Sequence, residues 1–437
     1  MMRSTVDALT ALSLGLAPEH PLSRADIDRW QDKRLTALLS YCRKRSPYYR
    51  RTLAGCPGQI GMEELARLPL LTSDELRHHG AEMLCTSQDA IARIITLHSS
   101  GTTGPPKRLA FTENDLERTL AFFQHGMRAL VRPGDRAAIL LAGTTPDSTG
   151  HLLIRALERM QVRSRCFWPC ADPAAMAREL AALQPHTVVA MPVHLLAAGR
   201  MARSLGLSIR SIRTVLLSAD TIPKTVVTGL GELFDCEVFS HYGSTESGLG
   251  GAVDCSAHVG MHLRESDLLA EIIDPKSKAP LPEGTWGELV LTTLGREGMP
   301  LVRYQSGDLA RLLPGRCPCG SPLRRLDRVQ GRLDQIRLLE NGEVLSLPDL
   351  DEALFVLPGL LDYMARINRQ HGRDVLHLAL VPVPGREQAL ADEARNALAG
   401  LPACASLRLE TSLSPICTIQ PGKRILADER EAQPCNT

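Results

Sequence analysis

From about residue 90 onward, short β-rich runs alternate with amphipathic segments long enough to form helices. The clearest runs cover residues 93–97, 137–141, 187–190 and 214–218, and each is dominated by aliphatic or β-branched side chains. Strands that alternate with helices predict βαβ units, in which the strands lie parallel and are covered by helices on the faces of the sheet. We therefore expect an α/β fold built around a largely parallel sheet.

The regions on either side of this alternating stretch differ from it. Apolar residues at helical spacing over 29–53, followed by a helix-capping pattern at Thr72 to Glu75, predict a mostly helical opening. The runs 268–273 and 287–292, separated by Pro and Gly, predict a β-meander or a small barrel. The N-terminal part should therefore combine mixed or parallel sheets with helices and a small barrel-like subdomain.

The C-terminal part forms a separate block. An Asn-Gly turn near residue 341 predicts a hairpin, and a strand at 375–381 followed by an alanine-rich helix at 387–398 completes an α+β pattern. We predict a large N-terminal domain over residues 1–333 and a small, mobile α+β C-terminal domain over residues 334–437.

Composition narrows the classes of function. The chain has 437 residues, 44% of them apolar, and its 50 Lys and Arg against 49 Asp and Glu give a formal net charge of +1. A net charge this close to zero gives no overall positive potential that would attract nucleic acid or anionic membranes. No apolar run reaches the roughly 18 residues of a membrane span. The 12 cysteines lack the compact spacing of a disulfide framework. We therefore expect a cytoplasmic protein that binds neither nucleic acid nor membrane.

The strongest single motif is the loop 99–107, which follows the predicted strand at 93–97 and precedes a predicted helix start at Thr112. It contains four Ser or Thr hydroxyls, two glycines and one lysine. Backbone N–H groups, hydroxyls and an ammonium group can together surround polyphosphate oxygens. The Gly-Lys-Ser/Thr ending of a Walker loop is missing, and composition alone also fits an ordinary flexible loop.

Four further motifs follow this loop along the chain. They cover residues 241–246, 304–308, 331–334 and 422–423. In this order, the five motifs resemble those of the adenylate-forming, or AMP-binding, superfamily, which includes acyl-CoA synthetases, luciferase and the adenylation domains of nonribosomal peptide synthetases. The likeness extends over about 320 residues, from the loop 99–107 to the C-terminal motif.

Within that superfamily, three stretches resemble the phenylacetate-CoA ligases: residues 46–50, 68–76 and 254–262. The resemblance implies an ATP-dependent carboxylate-CoA ligase, an acid-thiol ligase that forms an acyl-adenylate and releases AMP and pyrophosphate. Its substrates would be a small carboxylic acid, ATP and coenzyme A. Two alternatives remain open, an adenylating enzyme that passes the acyl group to a carrier-protein thiol or another acceptor, and a non-catalytic binding protein on the same fold.

The resemblance also implies roles for individual residues. Lys423 would stabilise the transition state of adenylation, Lys107 would act at the phosphates, and Glu246 would bind Mg²⁺ through a hard carboxylate oxygen. Asp308 would accept hydrogen bonds from the ribose hydroxyls, and Tyr242 would offer an aromatic face to adenine. The remaining implied nucleotide-binding residues are Ser99, Ser100, Gly101, Thr102, Thr103, Gly104, Ala219, Asp220, His241, Gly243, Ser244, Thr245 and Arg332.

Asp220, which the resemblance places against adenine, stands where a Glu is more usual in the family. Asp334 would be the hinge about which the C-terminal domain swings between the adenylation state and the thioester-forming state.

The cysteines suggest a second site. Cys255 and His262 lie seven residues apart, and the pair Cys317 and Cys319 begins 55 residues after His262. Three thiolates and one imidazole make a suitable tetrahedral Zn²⁺ set, with His258 as the competing imidazole. Because all four ligands would come from the protein, the zinc would be structural. Free buried thiols in a reducing cell are the alternative.

The sequence says less about the acyl substrate and the acceptor. The segment 141–154 falls where phenylacetate-CoA ligases build an acyl pocket, and it contains no aromatic residue. Its Thr149, Gly150 and His151 suggest a smaller or more polar carboxylate, although a solvent-exposed loop would look the same. The segment 338–343 replaces the usual Gly-rich stretch, which weakens the inference of CoA docking. The resemblance allows a homodimer, which composition does not decide.

Overall fold

A computed structural model describes the structure of residues 4–17, 19–57, 60–97, 105–405, 407–414, 417–420 and 422–430. Within these ranges every helix falls short of the length and apolar character that crossing a bilayer requires. The α-helices here are α1 (Thr5–Ser13), α2 (Arg24–Arg45), α3 (Pro47–Thr52), α4 (Ser73–His79), α5 (Glu113–Met127), α6 (Thr149–Glu158), α7 (Pro173–Leu183), α8 (Pro192–Ser204), α9 (Lys224–Phe234), α10 (Leu347–Leu354) and α11 (Glu387–Ala399).

The strands of the described residues are short, as expected for a buried sheet and for hairpins. They are β1 (Arg93–Leu97), β2 (Lys107–Phe111), β3 (Arg136–Leu140), β4 (Arg163–Cys166), β5 (Thr187–Ala190), β6 (Thr214–Leu217), β7 (Glu237–Tyr242), β8 (Ala252–Val253), β9 (Met261–Leu263), β10 (Leu268–Ile273), β11 (Gly287–Thr293), β12 (Tyr304–Ala310), β13 (Leu312–Leu313), β14 (Arg325–Leu326), β15 (Arg337–Leu338), β16 (Val344–Leu345), β17 (Leu360–Gln370), β18 (Arg373–Pro382), β19 (Arg408–Leu413) and β20 (Leu426–Asp428).

Local sequence accounts for where several helices begin. At α4, the Glu75 backbone N–H donates to Thr72 Oγ1 at 3.1 Å, and the Thr72 N–H donates back to Glu75 Oε2 at 2.9 Å. This reciprocal pair is a capping box, and it satisfies two N–H groups that would otherwise have no intrahelical acceptor. The same arrangement starts α2, α5 and α10. The predicted helix starts at Thr72 and Thr112 are therefore confirmed.

The described residues form two compact units. The first contains residues 4–129, 155–160 and 241–329, and the second contains residues 130–154, 161–240 and 330–430. Strand β7 contributes its first four residues to the second unit and its last two to the first.

The second unit holds the parallel sheet that the alternating pattern predicts. Its strands run in the order β7-β6-β5-β3-β4, and every pair is parallel. All residues of Thr187–Ala190 are buried, as expected for a strand covered on both faces. A four-stranded sheet in the order β19-β18-β17-β20 belongs to the same unit and shares one hydrophobic core with the parallel sheet.

Buried polar contacts within the second unit also connect helix α8 to the segment that leads into β17. The guanidinium group of Arg200, on α8, donates to the carbonyl oxygens of Phe355 and Leu360 at 2.5 Å each. The predicted boundary between residues 333 and 334 separates two parts that would move relative to each other during the reaction. It therefore stays a prediction.

The first unit is built from antiparallel strands and the N-terminal helices. Strands β10, β11 and β12 form the predicted meander, and β13-β14-β9-β8 form a second antiparallel set that continues to the last two residues of β7. Side chains from both sets share a hydrophobic core that includes Leu263, Ile272 and Leu291.

One strand differs from the expectation. Residues 93–97 do form a strand, but β1 pairs antiparallel with β2 in a separate two-stranded sheet instead of joining the parallel sheet. The local pattern correctly indicates an extended segment. It does not identify the partner, because an extended segment with this pattern can pair with either a parallel or an antiparallel neighbour.

Candidate active site

Three polar side chains from distant parts of the sequence meet in the first unit. Lys107 Nζ donates to Glu246 Oε1 at 2.5 Å and to the hydroxyl of Tyr304 at 3.2 Å. The Tyr304 hydroxyl in turn donates to the same Glu246 oxygen at 3.1 Å. The lysine and glutamate side chains are only 12% and 10% exposed. We call these three residues the Lys107 cluster.

The charge of Glu246 depends on its two partners. Burial alone would raise the pKa of this carboxyl group, but the charge and hydrogen bond of Lys107, assisted by the Tyr304 hydroxyl, lower the pKa below its ordinary value. Glu246 is therefore an anion at neutral pH, which is the form that a divalent cation requires. Its neighbour Lys107 brings a positive charge to the same place, as expected for a group that acts on phosphate.

Sequence reasoning identified two members of this cluster and missed the third. Tyr304 is the first residue of the motif 304–308, but the resemblance implies no separate role for it. Its position at the start of β12, paired with β11, brings its hydroxyl to Glu246. The predicted phosphate-loop residues Ser99, Ser100, Gly101, Thr102, Thr103 and Gly104 lie outside the described residues.

The segment that carries Glu246 is a tightly bonded loop after β7. The Ser244 N–H donates to Ser247 Oγ at 3.0 Å, and the Ser247 N–H donates to Ser244 Oγ at 3.1 Å. A Cβ on Gly243 would lie 2.5 Å from the carbonyl oxygen of Leu249, so only glycine fits there. The carbonyl of Thr245 accepts from Arg296 at 3.3 Å. These bonds hold Glu246 in place.

The other two nucleotide-binding candidates in the first unit touch each other. The hydroxyl of Tyr242 donates to Asp308 Oδ2 at 2.8 Å. Asp308 follows Gly307, whose φ of +76° only glycine adopts readily, so the turn aims the carboxylate. One carboxylate oxygen thus orients the tyrosine. An ionised carboxylate can accept several hydrogen bonds, so Asp308 can also accept one from a sugar hydroxyl.

His241 is buried beside the rings of Phe122 and Phe123, at centroid distances of 6.0 and 6.3 Å. Burial lowers its pKa to about 4. The imidazole is therefore neutral at pH 7, so His241 brings no charge to this segment.

The second unit contains the remaining candidates, beginning with Ala219 and Asp220 after β6. Ala219 adopts a φ of +72°, a conformation that is costly for a residue with a Cβ and that often marks a functional loop. Burial raises the pKa of Asp220 to about 6, although the charges of Arg424 and Lys423 act in the opposite direction. The loop therefore carries a carboxyl group that titrates close to neutral pH.

Lys423 is exposed, whereas the next residue is one of the most firmly held side chains in the second unit. Arg424 forms ion pairs with Asp351 at 2.6 Å and Asp362 at 3.0 Å. Its guanidinium group also lies over the rings of Phe355 and Tyr363, 4.9 and 4.4 Å from their centroids. The free end of the lysine thus projects from an anchored backbone.

Arg332, a predicted nucleotide-binding residue, lies beside Asp334, the predicted hinge. Arg332 Nε is 3.5 Å from Asp334 Oδ1, and the Asp334 side chain is 72% exposed. An exposed junction is compatible with a hinge, and the role of Asp334 remains a prediction.

The predicted acyl-pocket residues begin α6 in the second unit. The Gly150 N–H donates to the carbonyl of Ala142 at 2.8 Å, and a Cβ on Gly150 would lie 2.8 Å from Gly143 Cα. His151 Nδ1 accepts from the Asp147 N–H at 2.9 Å. The glycine permits close contact of two backbone segments, and the histidine fastens the preceding loop. This ring nitrogen is therefore already used within the protein.

The four predicted zinc ligands come together in the first unit. The ligand atoms of Cys255, His262, Cys317 and Cys319 all lie within 4.8 Å of one another, and all four residues are buried. The sulfur atoms of Cys255 and Cys317 are 3.7 Å apart, and Cys319 Sγ is 3.4 Å from His262 Nε2. A tetrahedral ion with Zn–S bonds of about 2.3 Å requires S···S distances of about 3.8 Å.

The geometry also decides between the two candidate histidines. His258 Nδ1 contacts Asp254 Oδ2 at 3.0 Å, and this residue lies outside the four-residue group. His262 sits on β9, which pairs with β14 just after the Cys317–Cys319 turn. The donor set and its spacing therefore fit zinc with His262 as the imidazole ligand.

Comparison with known proteins identifies what the chain as a whole resembles. The sequence resembles the phenylacetate-coenzyme A ligase of Thermus thermophilus, with 28% identity over 366 residues and 80% of each chain covered. It is 27% identical to the Pseudomonas putida enzyme of that name, with 78% of this chain and 76% of the relative covered. The fold resembles a 2-hydroxyisobutyryl-CoA ligase solved with 2-HIB-AMP in the postadenylation state, with a TM-score of 0.80, 21% identity, and 94% and 91% of the two chains covered.

These relatives confirm the expected likeness to phenylacetate-CoA ligases and the expected α/β architecture. The sequence model of the AMP-binding enzyme family matches residues 62–295, more than half of the chain. This stretch contains Lys107, Glu246 and the segment 241–246 that carries the glutamate. The chain is thus a member of the AMP-binding enzyme family.

Proposed function

We propose that this protein is an ATP-dependent carboxylate-CoA ligase. It activates a carboxylic acid as an acyl-adenylate with release of pyrophosphate, and then forms the CoA thioester with release of AMP. The observation that carries the proposal is the Lys107 cluster, because an anionic Glu246 and a cationic Lys107 are held together within the region that matches the family. The activities named for the relatives agree with this reaction.

Each site residue has a chemical task in this reaction. Lys107, together with the loop 99–104, binds the phosphates of ATP, and Glu246 provides the carboxylate that binds Mg²⁺. When bound, the ion neutralises phosphate charge. Asp308 holds the ribose, and the hydrogen bond from Tyr242 fixes the orientation of that carboxylate.

In the second unit, Lys423 contributes a positive charge to the adenylation transition state. Ala219 and Asp220 contact adenine, Arg332 contacts the nucleotide, and Asp334 acts as the hinge of the C-terminal domain, residues 334–437. Because Lys423 acts in one domain orientation only, the two half-reactions use different orientations. The anchoring of Arg424 supports this role, since it fixes the backbone from which Lys423 projects.

Two measurements test the proposed reaction. Carboxylate-dependent exchange of pyrophosphate into ATP without CoA reports the first half-reaction, and appearance of a CoA thioester in the complete mixture reports the second. Pyrophosphate exchange without formation of a CoA thioester would indicate that the acyl group is passed to another acceptor. If neither reaction occurs with a broad panel of acids, the remaining interpretation is a non-catalytic binding protein on the same fold.

A carrier-protein thiol is the second candidate acceptor, and one observation favours it. The segment after the hinge forms a hairpin, β15 and β16, around Gly342, whose φ is +81°. Leu338 and Val344 on this hairpin are 64% and 50% exposed. Exposed apolar side chains suit a protein surface better than a nucleotide. Transfer of a radiolabelled acyl group to a phosphopantetheinylated carrier, but not to CoA, would establish this alternative.

We propose a small or polar carboxylic acid as the acyl substrate. The support is the segment 141–154, which lacks aromatic residues, and the close packing of Gly143 against Gly150, where a larger side chain does not fit. A screen of aliphatic, hydroxylated and aromatic acids by pyrophosphate release tests this. A clear preference for phenylacetate over small hydroxy acids would contradict it.

We also propose one structural zinc ion, bound by Cys255, His262, Cys317 and Cys319. It would fasten β9 to the turn before β14, just beyond the loop that carries Glu246. Protein purified without added metal should contain about one zinc per chain. A Cys317→Ser plus Cys319→Ser variant should lose the zinc and melt earlier, because a structural metal contributes directly to folding.

The zinc proposal fails if the folded protein contains no zinc. Zinc whose removal abolishes turnover without changing the melting temperature would instead indicate a catalytic ion.

The cytoplasmic location is likewise a proposal, supported by the absence of disulfides among the eleven cysteines in the described part of the chain. Sedimentation at micromolar concentration would decide whether the chain forms the homodimer that the resemblance allows.

A further inference from the structure

A small cavity in the first unit has an unusual charge balance. Its lining includes three arginines, Arg118, Arg264 and Arg296, and two aspartates, Asp115 and Asp267, which together give a formal charge of +1. The centre of a water-sized particle can occupy about 20 Å³ of the cavity. One water needs roughly 10–15 Å³ by this measure, so the cavity has room for one or two waters or for one monatomic ion.

Arg296 brings a buried positive charge to this cavity. Its Nη2 donates to the carbonyl oxygens of Thr245 and Glu246 at 3.3 and 2.8 Å, and its guanidinium group lies 4.8 Å from the ring centroid of Phe111. Among the described residues, Nη1 of Arg296 has no hydrogen-bond acceptor. Burial lowers the pKa of Arg296 to about 10, as expected for a cation with incomplete compensation.

Arg264 approaches the cavity from another segment. Its Nη2 donates to the Ser247 carbonyl at 3.0 Å, and its Nε lies 3.8 Å from Asp267. Within the described part of the chain, Nη1 of Arg264 also lacks an acceptor. The two guanidinium groups converge at Gly248, since the Nη2 atoms of Arg264 and Arg296 lie 3.2 and 3.4 Å from the point that a Cβ would occupy there.

The two aspartates offset this pair only in part. Asp115 accepts the backbone N–H groups of Glu297 and Gly298, at 2.7 and 3.0 Å. Asp267 lies 3.8 Å from Arg264 Nε, but it also accepts from Arg118 at 3.1 Å and from the Ser266 hydroxyl at 3.0 Å. Each carboxylate therefore divides its charge among several donors. Two guanidinium groups close together repel each other in a low-dielectric interior, and an anion between them removes that cost.

We propose that this cavity is a binding site for a monatomic anion of the halide class, held between Arg264 and Arg296. Water could accept the unused N–H groups, but it would not balance the buried charge. The size of the cavity favours a halide over phosphate. By fixing Arg296, the anion would stiffen the backbone at Glu246, whose carbonyl the same arginine holds.

Crystals of the unmodified protein soaked in bromide test the site directly, whether or not the proposed ligase activity is correct. We expect one anomalous peak in contact with the guanidinium groups of Arg264 and Arg296. Bromide peaks elsewhere with none in this cavity would overturn the proposal.

Thermal melting provides a second test. Replacing sodium gluconate by sodium chloride at constant ionic strength should raise the melting temperature of the unmodified protein by about 2–4 °C, and the rise should saturate with chloride concentration. The Arg264→Met variant should lose this rise, whereas Arg67→Met, an exposed arginine paired with Glu64, should keep it. Phosphate should stabilise all three proteins equally.

An equal chloride response in the unmodified protein and Arg264→Met would contradict the site. If Arg264→Met does not fold, the bromide experiment still decides, because it uses the unmodified chain.

Discussion

The two lysines assigned to the chemistry occupy opposite environments. Lys107 is 12% exposed and bonded to Glu246 and Tyr304, so its charge is compensated within the protein. Lys423 is exposed, and the protein holds its neighbour Arg424 instead. The first lysine belongs to a buried cluster in which its charge is paired within the protein. The second is an exposed charge beside an anchored arginine, and in the proposed mechanism it acts on the group that forms during adenylation. Substitutions should therefore affect stability at one lysine and rate at the other.

The largest effect on stability should come from Lys107→Met. It leaves the buried Glu246 carboxylate without its cation, and breaking one side of a buried pair costs about 3–5 kcal/mol. The double variant Lys107→Met plus Glu246→Gln should recover much of this loss, because no unpaired charge remains. Chemical denaturation at pH 7 measures both free energies of unfolding.

The cost of Lys107→Met should also depend on pH. Lys107 lowers the pKa of Glu246, so the pair stabilises the protein above the carboxyl group's ordinary pKa of 4.5 and loses this contribution as pH falls. The difference between variant and parent should therefore shrink toward acid pH. The matched control is Lys278→Met, whose partner Glu288 keeps a hydrogen bond from Gln305 at 2.8 Å. An equal loss in both variants would contradict the special status of the Lys107 cluster.

Lys423→Ala should give the largest effect on rate. Losing one charged contact to the transition state should slow adenylate formation by about 10²–10³-fold and leave the melting temperature unchanged, because the side chain is exposed. Thioester formation from a preformed acyl-adenylate should persist, since that step uses the other domain orientation. Lys276→Ala, another exposed lysine, should change neither step. Equal losses in both half-reactions would defeat the two-orientation account.

A smaller effect is expected at Asp220, because burial raises the pKa of this carboxyl group from its ordinary value of 3.8 to about 6. A raised carboxyl pKa means that the folded state is favoured while the group is protonated and is penalised as pH rises through 6. Asp220→Asn should therefore stabilise the protein by about 2 kcal/mol at pH 7, and this gain should disappear near pH 4. Asp235→Asn, at an exposed helix end, is the control. A gain that is independent of pH would contradict the shifted pKa.

Sequence reasoning succeeded where a short pattern determines the outcome. The capping boxes at Thr72 and Thr112 are local. The predicted metal-ligand set also comes together, because His262 lies on β9, which pairs with β14 just after Cys317 and Cys319. Sequence reasoning failed for the partner of β1, and it could not foresee the convergence of Arg264 and Arg296. The partner of β1 is the next strand along the chain, but the local pattern cannot tell whether β1 joins it or the parallel sheet. The convergence of the two arginines depends on how separate segments pack in the folded unit.

The smallest expected effect isolates the third member of the Lys107 cluster. Tyr304→Phe removes the hydroxyl that donates to Glu246 at 3.1 Å but leaves the aromatic ring and Lys107 in place. A hydrogen bond to a charged group contributes about 1.5 kcal/mol, so the stability loss should be about that size and well below that of Lys107→Met. Because the hydroxyl helps to lower the pKa of Glu246, the variant should also need more Mg²⁺ for half-maximal pyrophosphate exchange. Tyr48→Phe removes a similar tyrosine–glutamate bond, 3.0 Å to Glu75, and should leave the Mg²⁺ requirement unchanged. A Tyr304→Phe enzyme with the parent's Mg²⁺ requirement would reduce this tyrosine to a packing residue and leave the cluster as a simple lysine–glutamate pair.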